Sequence, residues 1–324
     1  LTGSLPDATL WSAAAEGRLH TAEDRRREAK RLLATPAARE ELRSFLNQWL
    51  ATNRLSALTK DASIYPSFSP AMAASMANEL DDFFDDVLWN GSGSLRELLT
   101  SDHSFIDPML TQLDSISAND LGATLGTRTR SGVLAHAGYL AVHADTDSSG
   151  PIPRGVFLLQ AILCAPPHPP PANIPPALPP NDPSVQGLTT RERFQQHVKS
   201  ASCAGCHNQI DGIGFGFEEY DGIGAFRTSE AGKPVDSSGV LTGTQSDGPF
   251  VGVTQLESKL ASSSQLSRCF ARQTYRYGMG QIEPPADDLS WLGSDFNNDS
   301  RLTDLLLELV ADPVFVNRVA EPVR

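Results

Sequence analysis

Residues Cys203-Ala204-Gly205-Cys206-His207 open a run that continues Asn208-Gln209-Ile210-Asp211-Gly212-Ile213-Gly214-Phe215-Gly216-Phe217-Glu218-Glu219-Tyr220 and reaches Phe226-Arg227. Two thiols three residues apart reach the two vinyl groups of one porphyrin from a single helical turn, and the adjacent imidazole then faces the iron. Ala204 and Gly205 are small enough to let a porphyrin edge lie against the backbone. The pentad is the attachment pattern of one covalent haem c, with Cys203 and Cys206 as anchors and His207 as the proximal iron ligand. The glycines that follow are expected to bring the backbone close to a flat cofactor. Ile213, Phe215, Phe217 and Phe226 are expected to wall it from water, and Arg227 to pair with a propionate. A zinc site needs four ligands at finger-like spacing, and Cys164 and Cys269 are too distant in sequence to supply them. A thioredoxin-type pair needs a βαβ setting, which the surrounding pattern lacks. Gly212-x-Gly214 lacks the third glycine and the preceding strand of a dinucleotide loop.

Upstream of the motif, Thr189 precedes Glu192 by three residues, a capping box that starts a helix carrying Phe194 and Val198. Before that, ten of the nineteen residues 165–183 are proline, which predicts an extended strap of polyproline II. The strap divides the chain into a helical domain at 1–164, a connecting segment at 165–187 and a haem domain at 188–324. The first part reads as helices at 22–33 and 38–50, a third from Ser69-Pro70 through Leu88, and buried helices at 132–142 and 155–163. Downstream, 225–228 and 235–241 flank Gly232-Lys233-Pro234 and predict one small hairpin, and helices return at 253–261, 265–277 and 301–310. The fold class is therefore mainly α, an N-terminal helical domain plus a cytochrome c-like helical domain with a small β-hairpin.

A formal charge of −13 over 324 residues argues against nucleic-acid binding, whose phosphates need a basic surface. It suits an extracytoplasmic protein or contact with a basic redox partner. No apolar run reaches the roughly 20 residues of a membrane-spanning helix. The opening at Leu1-Thr2-Gly3, without a start Met or a signal-like segment, suggests a processed product or a piece of a longer precursor with upstream domains. Asp295-x-Asn297-x-Asp299 mimics the start of a calcium loop, but Ser300 and Leu306 stand where Gly and Glu are required. It reads instead as an Asx-rich turn.

The segments Leu5-Pro6-Asp7, Ala13 to Leu19, Gln48-Trp49-Leu50, Gly132 to His136, Pro153 to Phe157, and Arg191-Glu192-Arg193-Phe194 through the haem motif to Arg227 resemble planctomycete-type cytochrome C multidomain proteins. These are large secreted proteins built from successive domains of unknown function. The resemblance implies a secreted or otherwise extracytoplasmic place and a single c-type haem, and implies little about activity.

The sixth iron ligand decides between carrier and catalyst. His136, among small apolar neighbours in an expected helix, is the first candidate, and Met279, between Gly278 and Gly280, is the alternative. His197 lies close before the motif on the approaching helix, and His20, His103, His143 and His168 read as surface or turn residues. Haem attachment of this type takes place where thiols oxidise, so the two remaining cysteines, Cys164 and Cys269, are expected to form a disulfide. Two functional readings follow. One is single-electron transport through the haem to a redox partner protein or a small-molecule oxidant or reductant. The other is a haem-dependent peroxidase or oxidase with an open sixth position.

Overall fold

The computed structural model describes residues 1–105, 107–114, 130–169, 182–194, 201–280, 282, 289 and 291–317, apart from the side chains of residues 183 and 201–203. Most of the Pro-rich strap, His197, Val198, Pro284 and Pro285 lie outside the described residues.

The first half is helical, as its periodicity predicts. The elements are α1 (Ala8–Ala15), α2 (Ala22–Leu33), α3 (Pro36–Trp49), α4 (Pro70–Asp85), α5 (Leu95–Thr100) and α6 (Thr111–Asp114). Caps set their starts. Thr21 and Asp24 close a capping box on α2, and Ser69 accepts from the Met72 N–H with Pro70 in the first turn of α4. The stripes fall where the spacing places them: Leu42, Phe45, Leu46 and Trp49 of α3 are buried, as are Met72, Met76, Leu80 and Phe83 of α4.

Residues 132–142 do not form the single helix expected of them. Val133–Ala135 makes one 3-10 turn, His136 is extended (φ −65°, ψ 142°), and α7 (Ala137–Val142) begins after it. Gly132 sits at φ +70°, outside the helical region, and tertiary partners hold the segment in this shape. The Gly132 N–H donates to the Ser101 carbonyl at 2.7 Å, and the Leu134 N–H donates to the Glu257 carboxyl at 2.9 Å. Next comes α8 (Pro151–Phe157), which widens into a π-helical turn at Leu158–Ile162.

The second half starts at α9 (Thr190–Phe194), where the Glu192 N–H donates to Thr189 Oγ1 at 3.2 Å and the Thr189 N–H to Glu192 Oε2 at 2.8 Å. It continues with α10 (Ala201–Gly214) and two hairpins in place of the one expected. Strand β1 (Ser229–Glu230) pairs with β2 (Lys233–Pro234) around Ala231-Gly232, both at positive φ. Strand β3 (Ser238–Leu241) pairs antiparallel with β4 (Gly248–Val251) in the register Ser238 to Val251 and Leu241 to Gly248. Leu241 and Phe250 are the buried positions of that second hairpin, so its apolar face, rather than the Gly-Lys-Pro turn, is what ties 235–241 to a partner. Helices α11 (Gly252–Ala261), α12 (Ser264–Met279), α13 (Leu302–Ala311) and α14 (Pro313–Val316) complete the chain. Ahead of α13, the Asp299 N–H donates to Asn297 Oδ1 at 2.9 Å, so 295–300 is an Asx turn. No helix among the described residues is long and apolar enough to cross a membrane.

One cluster of buried side chains runs from Leu33 to Leu309 and draws on both sides of the Pro-rich segment. Phe270 of α12 lies 4.9 Å from Trp49 and 5.6 Å from Phe45 of α3. Arg25 of α2 donates to the Val310 carbonyl at 2.7 Å and also to that of Ala311, satisfying the end of α13. Cys164, at the end of the α8 extension, forms a disulfide with Cys269 of α12, as expected of the two cysteines outside the motif. A fully buried Arg154 donates to the carbonyls of Leu140, Phe217, Tyr220 and Asp221 at 2.7–3.2 Å, pinning α7 and α8 to the chain after α10.

Candidate functional site

The whole pentad lies on α10, so Cys203, Cys206 and His207 stand at i, i+3 and i+4 on one side of one helix. That helix runs through Gly205, Gly212 and Gly214, each costing roughly 0.5–1 kcal/mol relative to Ala in a helix interior. Packing accounts for Gly212, where a Cβ would press on the Val240 carbonyl, and for Gly214. A Cβ on Gly155 of α8 would collide with the Ile210 carbonyl of α10, and one on Gly214 with the Pro151 carbonyl of α8. On the opposite side, a Cβ on Gly239 of β3 would collide with the Gly212 carbonyl. Gly212 and Gly214 thus let α10 wedge between α8 and β3. Gly205 is the exception, since it is exposed and a Cβ there would meet open space.

His207 sits toward the surface, with its side chain 21% exposed, while Asp211 one turn further on is almost enclosed at 6%. Nδ1 of His207 lies 3.0 Å from Asp211 Oδ1. Cys206 is half-buried against the core, and the side chain of Cys203 lies outside the described residues. Arg191 of α9 flanks this pair. Its guanidinium sits 4.3 Å from the Phe215 ring centroid and donates to the carbonyls of Asp236 (3.0 Å) and Ser238. Burial pulls the Arg191 pKa down, and the charges of Asp236, Glu218 and Asp211 act against that. The donor set fits a haem held by thioethers. A metal-ligating histidine bonds through one ring nitrogen and gives the other to a carboxylate or carbonyl, and here Nδ1 is the one engaged by Asp211.

The other predicted residues are dispersed. Phe215 is buried beneath Arg191, and Phe217 is fully buried 6.4 Å from Tyr139, in the interior shared with α7. Phe226 is 43% exposed, packed edge-on to Tyr220. Arg227 is engaged by two carboxylates, Glu218 at 2.7 Å and Glu230 at 3.1 Å. Burial pushes the Glu218 carboxyl up, while Arg227 and Arg154 pull it back.

His136 is not on a helix face but at the break before α7, and it is fully buried. Its ring centroid is 4.4 Å from that of Phe83. Its Nδ1 stands 3.2 Å from Glu79 Oε1, close enough for an ion contact but misaligned for a hydrogen bond, and Nε2 has no hydrogen-bond partner among the described residues. Burial opposes the charge on Glu79, but His136, Arg130 and Ser104 outweigh it and hold the pKa low. Met279 is buried at the end of α12, before Gly280 at φ +63°. His143, read as a surface or turn residue, is in fact buried and donates from Nε2 to the Leu50 carbonyl at 2.8 Å. Asp211 is the site residue the sequence reading passed over. Its signal is the i,i+4 spacing from His207, visible once the helix is known to continue through Gly212.

Residues 1–114 match the family model described as PSD4, protein of unknown function (DUF1592), and residues 130–230 match PSCyt3, protein of unknown function (DUF1588). Both are domains found in planctomycete cytochrome c-type multidomain proteins. The second match contains the Cys203–His207 motif and runs across the Pro-rich segment. Comparison with curated proteins and with solved structures found no match.

Proposed function

We propose that the chain is a mono-haem c-type cytochrome that passes single electrons outside the cytoplasm, with haem joined to Cys203 and Cys206 and His207 as proximal ligand. The observation that carries this reading is the pentad on one turn of α10, with His207 Nδ1 engaged by Asp211. A haem bound there supplies a one-electron couple. The chain's part is to fix the ligand's orientation through Asp211, to hold α10 rigid between α8 and β3, and to keep the attachment turn near the surface, where Gly205 is exposed. The Cys164–Cys269 disulfide supports an oxidising, extracytoplasmic compartment. The charge of −13 supports a basic redox partner.

A second reading, a haem-dependent peroxidase or oxidase, is favoured by the enclosure of both candidate sixth ligands. His136 lies beneath Phe83 beside Glu79, and Met279 lies within the core. One preparation tests both. The denatured chain should keep one haem by mass, and haem that extracts into acid organic solvent would overturn the attachment. A low-spin ferric spectrum unchanged by cyanide supports the carrier, with His136→Ala and Met279→Ala identifying the ligand. A high-spin spectrum that shifts with cyanide supports the catalyst.

A further inference from the structure

The buried carboxylate of Asp211 has no role in attaching a cofactor, yet the fold holds it in a single place. It lies one helical turn from His207, on the stretch of α10 where Gly212 and Gly214 are locked against β3 and α8. That stretch cannot turn about its axis without driving the Gly214 backbone into Pro151 or Gly212 into Gly239. The partner of the His207 ring is therefore a carboxylate, where a neutral backbone carbonyl would also satisfy a ligating histidine. The two acceptors differ in consequence. A carboxylate draws the Nδ1 proton toward itself and makes the opposite nitrogen a stronger donor, whereas a carbonyl does so weakly. A stronger donor favours the higher charge on a bound metal.

We propose that Asp211 is a positioning residue that acts through His207 to bias a haem iron at this site toward the ferric state. The inference rests on the haem reading above and adds to it which side of the electron exchange the chain favours. It is poised to receive electrons only from a strong reductant and to give them up readily. A haem held by Cys203, Cys206 and His207 would take one electron from such a reductant and pass it to an oxidant, a protein or small molecule, with no bond within the chain made or broken. Arg191, held by the carbonyls of Asp236 and Ser238, feels the negative charge of Asp211 after those of Asp236 and Glu218.

The experiment is a redox titration of the haem-loaded full chain, in wild type and in Asp211→Asn and Asp211→Glu. Asparagine keeps an acceptor oxygen without the charge, and glutamate keeps the charge. Asp211→Asn should move the ferric-to-ferrous ratio at a fixed potential at least tenfold toward ferrous, about 59 mV for a one-electron couple. Asp211→Glu should recover most of that change. A second readout needs no variant. The iron–histidine stretching band of the wild-type ferrous protein, read by resonance Raman after photolysis of its carbon monoxide complex, should lie above that of a haem whose histidine donates to a neutral carbonyl. Wild type that retains covalent haem but shows the carbonyl-type band, or an Asp211→Asn variant with unchanged potential, would overturn the role of Asp211 alone. Wild type with no covalent haem would overturn the haem reading and this inference with it.

Discussion

The imidazole of His143 donates to the Leu50 carbonyl and lies 3.8 Å, centroid to centroid, from the Phe157 ring. Burial carries its pKa down to about 3 from 6.5, against the pull of that hydrogen bond. The ring is thus neutral in the folded chain and takes a proton near pH 6.5 only when the chain unfolds. Its contribution to stability is complete above pH 6.5 and is lost as the pH falls toward 3. Between pH 6.5 and 5 the loss should be about 2 kcal/mol. Denaturant titrations at these two pH values should show wild type losing about that much more than His143→Gln. Equal losses in the two proteins would remove His143 from the account. The sequence around His143 suggests a turn because Asp145 and Asp147 follow it. The residues that enclose it, Leu50 and Phe157, come from other elements, so no local pattern announces its burial.

At the scale of elements, α10 shows why a glycine-rich stretch has no single meaning. Its glycines weaken the helix by propensity, yet at Gly212 and Gly214 the close approach of β3 and α8 leaves no room for a larger residue. Gly155→Ala places a methyl group against the Ile210 carbonyl, a backbone atom that cannot swing aside. The substitution should cost about 1–3 kcal/mol, the usual penalty for overpacking. It should also lower the yield of haem-loaded chain, since the turn bearing Cys206 and His207 continues directly into Ile210. Thermal unfolding and haem content per chain check the two effects, and a Gly155→Ala protein that matches wild type in both would show that α8 and α10 can part freely.

For the whole molecule, the Cys164–Cys269 bond closes a loop of 105 residues. Chain-entropy reasoning gives about 4–5 kcal/mol for a loop of that order, and native disulfides removed from other proteins cost about 2–5 kcal/mol. Replacing both cysteines by Ala should lower the unfolding free energy within that range. Because α12 also packs on Trp49 and Phe45 of α3, the loss should appear as one cooperative shift rather than as separate melting of the C-terminal part. Denaturant unfolding followed by tryptophan fluorescence and by far-UV circular dichroism checks this, and two non-coincident transitions would count against a shared core.

The local pattern by itself determined what depends on near neighbours. It placed α2, α3 and α4 by periodicity, started α4 and α9 at their caps, put Cys203, Cys206 and His207 on one helical turn, and paired Cys164 with Cys269 as the two cysteines outside the motif. Each of these follows from spacing along a backbone with 3.6 residues per turn, or from simple accounting of thiols. Only the tertiary structure decided the break at His136, the burial of His143 and Arg154, the second hairpin, the employment of Arg227 by Glu218 and Glu230, and the use of glycines for helix–strand contact. The physical reason is common to all of them. Whether a polar group is paired, a donor is taken or a Cβ can be accommodated depends on atoms supplied by segments far away in sequence, and those atoms are in place only once the chain has folded.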